Sequence, residues 1–131
     1  MEDLGRILVP SNGTLAARRA AELAFAVADE DSEIDGLHVV TPTLVGATRD
    51  HSADVTAELE GVGDAMGKSS HMTVRRHATA ETGILSYIAE VDPDLLILGT
   101  EVRAGTTRLH LGPRVENLVR MAPCPVVVLN V

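Results

Sequence analysis

Between Asp94 and Val131 the chain gathers the residues best suited to hold an anion. The run Asp94-Leu-Leu-Ile-Leu-Gly-Thr100 is an apolar strand ending in a glycine, and Gly112-Pro113 opens a helix. A glycine at the exit of a parallel strand lets backbone approach a ligand closely, and a helix start offers unpaired N–H groups to negative charge. Arg103, Arg108 and Arg114 flank that helix start, in a chain whose formal net charge is −8. Guanidinium groups at such a place suit a phosphate or a carboxylate. The same arginines could instead pair with Glu101, Glu116 or a partner subunit, and the residues leave both readings open.

Other chemistry-bearing residues point to less. The histidines at 38, 51, 71, 77 and 110 show no metal-ligand spacing, and no Ser-His-Asp or Cys-His arrangement is recognisable. Cys124, between Pro123 and Pro125, reads as a buried or interface thiol rather than a nucleophile. The carboxylates of Asp92-Pro-Asp94 suit a helix-to-strand turn better than acid–base work.

These residues need a scaffold, and the apolar pattern supplies one. Arg6-Ile-Leu-Val-Pro-Ser11 is a short apolar run, as expected of a parallel strand covered on both faces. Thr14 caps a helix in which Ala17, Ala20, Ala21, Ala24, Phe25 and Ala28 recur at helical spacing. Residues 33–41 form a second strand and residues 53–70 a helix weakened by Gly61, Gly63 and Gly67. An alternating strand over 72–77, nearer a sheet edge, precedes a helix over 81–91 that Asp92-Pro93 stops. The strand from Asp94 is the most apolar and central. The helix from Pro113 covers the sheet with Leu118, Val119 and Met121, and a last strand runs over 125–129.

Five strands alternating with four helices over residues 1–131 predict a single α/β domain. The sheet is doubly wound and parallel, in the order 3-2-1-4-5, with helices on both faces. Ligands in such sheets bind beyond the carboxyl ends of the strands, where the winding reverses. That places Pro10, Ser11, Asn12 and Gly13 of the first strand beside Gly99 and Thr100 of the fourth. An acidic chain is a poor partner for nucleic acid or an anionic membrane. No apolar run reaches the roughly 18 residues of a membrane span, and Met1-Glu-Asp-Leu-Gly does not resemble a signal peptide, so a cytoplasmic protein is expected.

Ile7-Leu-Val-Pro-Ser-Asn-Gly-Thr14 resembles the opening of universal stress protein (UspA-type) domains. Leu96-Ile-Leu-Gly-Thr100, Leu109-His-Leu-Gly112 and Ala122-Pro-Cys-Pro-Val-Val-Val128 resemble their closing segment. The resemblance spans the chain and implies the adenine nucleotide alpha hydrolase-like fold derived above. It also implies a stress-response regulatory module that senses AMP, ATP or another adenine nucleotide. The site would comprise Pro10, Ser11, Asn12, Val40, Gly99, Thr100, Arg103, Arg108, Gly112, Arg114 and Val115, with adenine against the backbone of Val40.

Against the family's glycine-loop pattern this chain keeps Gly99 and Gly112. It carries Asn12 for an aspartate, Val102 for the second glycine and Pro113 for a Ser or Thr. Val102 disfavours positive φ, and Pro113 removes a hydroxyl and an N–H. These changes favour AMP or a cyclic mononucleotide over ATP, and a weak ATPase is the least favoured reading. The alternative is a dimeric interaction module of the branch that binds no nucleotide. Residues 103–116 also resemble modules attached to archaeal amino-acid and cation transporters, which implies a transporter or signalling partner. The last strand, with Val126, Val127, Val128 and Leu129, resembles the one through which such domains form homodimers, and a long apolar edge invites pairing.

Overall fold

Arg6–Pro10 (β1) and Leu95–Thr100 (β4) pair in parallel at the centre of the sheet, and their apolar runs are buried on both faces. The computed structural model describes residues 5–12, 14–42, 52–100 and 113–131. Side chains alternate across each strand. Ile7, Val9, Leu95 and Ile97 enter one core, which is closed by Leu15–Val27 (α1) and Ser52–Ala65 (α2). Leu8, Leu96 and Leu98 enter the opposite core, under Ala80–Val91 (α3) and Pro113–Met121 (α4). Glu33–Val40 (β2), His71–Arg76 (β3) and Val126–Asn130 (β5) complete the parallel sheet in the order β3-β2-β1-β4-β5. This is the doubly wound arrangement expected from the sequence, with β3 at one edge and β5 at the other. No described helix is long and apolar enough to cross a membrane.

The caps explain where the helices begin and end. Thr14 Oγ1 accepts the Ala17 N–H at 3.2 Å, and Thr79 Oγ1 accepts that of Thr82 at 3.1 Å. Asp92, in the left-handed region at φ 49°, ends α3 before Pro93. The sheet-facing stripe of α4 runs through Val115, Leu118 and Ala122. Val119 and Met121 fall beside that stripe and are exposed, so of the three residues expected to cover the sheet only Leu118 does, with Val115 and Ala122 beside it.

The glycine-bearing segment after β2 departs furthest from its expected form. Its helix stops at Ala65, and Gly67 lies beyond it with φ 70°. The Lys68 N–H reaches the Gly63 carbonyl at 2.8 Å and the Gly67 N–H reaches that of Asp64 at 3.1 Å, a Schellman closure. Gly67 therefore terminates α2 instead of weakening it. Lys68, the one lysine of the sequence, then donates to the carbonyls of Phe25 and, at 2.9 Å, Ala28. Its ammonium thus satisfies the negative end of α1.

A cluster of charges fastens the strands at this same end, where they begin. Arg6 meets Glu33 at 2.9 Å and the buried Asp35 at 3.2 Å, while its N–H donates to Asp94 Oδ2 at 2.9 Å. Burial pushes the Asp35 carboxyl above the usual aspartate range; Arg6 pulls it down, less strongly, and Glu33 adds to the rise. The folded state therefore holds the Asp35 proton more tightly than the unfolded chain does. That contribution to stability is complete below the unfolded pKa and is lost as pH rises through the raised folded one. Asp35→Asn cannot titrate. On acidification from about pH 7 to about pH 4, wild type should gain melting temperature relative to this variant. A difference that stays flat across melts in that range would refute the assignment.

Candidate functional site

At the carboxyl ends of β1, β2 and β4 the helices on the α3–α4 face stand slightly apart and leave a cleft of about 180 Å³. Pro10, Ser11 and Asn12 form one wall, Gly99 and Leu98 the floor, and Val115 and Leu118 of α4 the far side. Leu37 and Val39 of β2 face Ala80, Glu81 and Ile84 of α3 across it. The position is the reversal of winding between β1 and β4, as anticipated.

The exit of β1 is fastened by hydrogen bonds to β2. The Ser11 N–H donates to the Leu37 carbonyl at 2.8 Å, and His38 Nδ1, necessarily protonated for this contact, donates to the Ser11 carbonyl at 2.9 Å. Asn12 Oδ1 accepts the Thr14 hydroxyl at 2.7 Å and the Thr14 N–H at 3.2 Å, so this side chain organises the turn into α1. A carboxylate would accept the same pair of bonds; the asparagine adds an amide donor in place of a charge.

Across the cleft, Asn117 Nδ2 donates to Glu81 Oε1 at 3.1 Å and ties the first turn of α3 to α4. Glu81 is the one titratable side chain lining the cleft among the described residues. Sequence reasoning missed it, together with Ala80 and Ile84. Its signal is the cap Thr79-x-x-Thr82, which places the start of α3 at the same end of the sheet as the exits of β1 and β4.

The predicted residues divide. Pro10, Ser11, Asn12, Gly99 and Val115 line the cleft. Val40 does not: its carbonyl points to β3 and accepts the His77 N–H at 3.1 Å. Backbone direction alternates along a strand, so Val39 shares the side on which Leu37 reaches Ser11, and it is Val39 that lines the cleft. Thr100 turns its carbonyl to β5, where it accepts the Val131 N–H at 2.9 Å. Arg103, Arg108, Gly112 and Val102 lie outside the described residues, as do the side chains of Pro113 and Arg114. Cys124 is half-buried against the α3–α4 core, and burial, then Asp92, pushes its thiol up, which suits packing rather than attack. No group of three metal-ligating side chains occurs among the described residues.

Gly99 also answers to a packing constraint that the sequence did not suggest. A Cβ there would collide with the carbonyl group of Ala16 and stand 3.0 Å from the Ala17 nitrogen. The glycine admits the backbone of α1 and itself lines the cleft.

The sequence profile of the universal stress protein family matches residues 4–130. A universal stress protein of Methanocaldococcus jannaschii is 28% identical over 138 residues, covering 95% of this chain and 81% of the relative. A universal stress protein from Archaeoglobus fulgidus superposes with a TM-score of 0.77 at 27% identity, over 97% of this chain and 45% of its own. An Arabidopsis thaliana family protein solved with AMP bound gives 0.72 at 20% identity, covering 95% of this chain and 90% of that one. A universal stress protein in complex with cAMP gives 0.73 at 16% identity, covering 95% and 94%.

Gly99→Ala should cost about 2 kcal/mol or more, because backbone atoms, not a flexible side chain, occupy the space. A thermal melt without ligand checks this. An unchanged melting temperature would return Gly99 to a role in ligand approach.

Proposed function

The chain belongs to the universal stress protein family, and on that premise we propose that it is a regulatory module that takes an adenine mononucleotide into the cleft beside β1 and β4. The observation carrying this reading is the cleft: an apolar slot between Val39 and Ile84, opening beside Asn12 and the first turn of α4. Its 180 Å³ is below the roughly 300–1,000 Å³ of pockets that enclose a whole drug-sized ligand. A base fits such a slot, with sugar and phosphate over its lip. The relatives solved with AMP and with cAMP support the choice of ligand class.

In this reading the phosphate meets the N-terminus of α4, with Gly112, Arg103, Arg108 and Arg114 as its partners. A mononucleotide is preferred to ATP because Val102 and Pro113 stand where the family's pattern has a glycine and a hydroxyl. The role is binding in stress adaptation, in the cytoplasm where such nucleotides are held. The output passes to a protein partner, with a transporter or signalling protein as the class the arginine segment resembles.

The competing reading is an interaction module without a nucleotide. The contact of Gly99 with Ala16 favours it, since that glycine is fully employed without any ligand. Calorimetric titration with AMP, cAMP, ADP and ATP separates the two. Saturable heat with the mononucleotides, exceeding that with ATP, is the expected result; silence with all of them overturns the nucleotide reading.

The self-association part of the proposal rests on β5. It is an edge strand, with Val127 exposed and Val126, Val128 and Leu129 half-buried. Pairing of this edge with a second copy would cover it. Light scattering at micromolar concentration should give twice the mass of the 13.8 kDa chain, and Val127→Glu should return it to one. A monomeric wild type would refute pairing.

A further inference from the structure

Glu81 is an unexpected group to find in a nucleotide cleft. The walls around it are largely apolar, Val39, Ile84 and Leu98 among them, and it brings a carboxylate to the same cleft. A carboxylate repels phosphate, so the anionic end of a ligand lies away from it, toward Asn12 and the first turn of α4, a turn before the Asn117 that Glu81 holds. The ring edge is then what meets Glu81. An ionised carboxylate only accepts hydrogen bonds, so that edge must carry an N–H.

The side chain is held for this task. Asn117 donates to Oε1 at 3.1 Å, which ties the carboxylate to α4, and Glu81 lines the cleft. Among the described residues no cation is paired with Glu81. A helix-dipole role at the start of α3 accounts for an acid in that turn, but it needs neither the cleft position nor the tie to α4.

We propose that Glu81, oriented by Asn117, is the specificity-determining acceptor of the cleft and selects bases with an exocyclic amine, such as adenine, over rings that lack one. Glu81 reads the amine, and Asn117 is a positioning residue that acts through it. The inference rests on the mononucleotide reading above and assigns the atoms that choose the base.

AMP and purine riboside 5′-monophosphate differ in the exocyclic amine alone, so calorimetry with both isolates the contact. Wild type should bind AMP about tenfold more tightly, the loss expected for a hydrogen bond to a charged group. Glu81→Ala should bring the two affinities to near parity, chiefly by weakening AMP. Glu81→Gln, nearly identical in shape, should narrow the ratio while keeping the wild-type melting temperature. Asn117→Ala should narrow it as well, and leave the purine riboside monophosphate affinity unmoved. Equal binding of both nucleotides by wild type, or a ratio untouched by these variants, overturns the role of Glu81 and leaves the mononucleotide reading standing. Binding of neither nucleotide overturns both.

Discussion

Backbone lies directly on backbone where Gly99 meets Ala16, and the upper end of the molecule depends on that contact. β4 and α1 are far apart in sequence, yet the absence of one Cβ lets the first turn of the helix settle onto the strand. The placement of α1 fixes Thr14, Thr14 fixes Asn12, and the turn after β1 follows. His38 and Leu37 then hold Ser11 from the other side. The cleft is thus a by-product of how closely α1 can approach the sheet. Close-packed interiors tolerate few atoms too many, which is why a single methyl group matters here.

The two ends of the sheet are built on opposite principles. At the amino ends of the strands Arg6 gathers Glu33, Asp35 and the carboxylate of Asp94, so charge is neutralised and the ends are fastened. At the carboxyl ends helix starts converge and polar atoms are left for use. Ser11 Oγ and the Asn12 amide nitrogen have no partner among the described residues. A doubly wound sheet creates this asymmetry by its connectivity, because every crossover helix begins where a strand ends. The side chains sharpen it.

The fold was legible because its signals are local and repeated: apolar runs such as Leu95–Leu98, a cap at Thr14, a stop at Asp92-Pro93. Strand boundaries moved by about a residue, as with β2 ending at Val40, since ladder bonds and not residue types decide the last pair, while the helix after β2 ended five residues early. The site was legible in place but not in detail. Topology put Ser11 beside Gly99. Which of two neighbouring valines faced the cleft was a matter of strand parity that Val39-Val40 itself does not encode. Glu81 went unread because it lies far in sequence from every other lining residue except those of its own helix. Gly67 and Gly99 were read through the general behaviour of glycine, which did not reveal that one closes a helix and the other admits a neighbouring helix.

Lys68 carries a consequence for the chemistry of the whole chain. It is the sole lysine, so its ε-amine is the sole side-chain target for acylation, reductive methylation or amine-directed cross-linking. That amine is engaged with the carbonyls of Phe25 and Ala28. A reagent that needs a free amine lone pair must wait until these bonds open and the proton leaves. Labelling at this one atom therefore reports how often the end of α1 parts from the turn after α2. The scarcity of lysine, a matter of composition, thus provides a single built-in gauge of local opening.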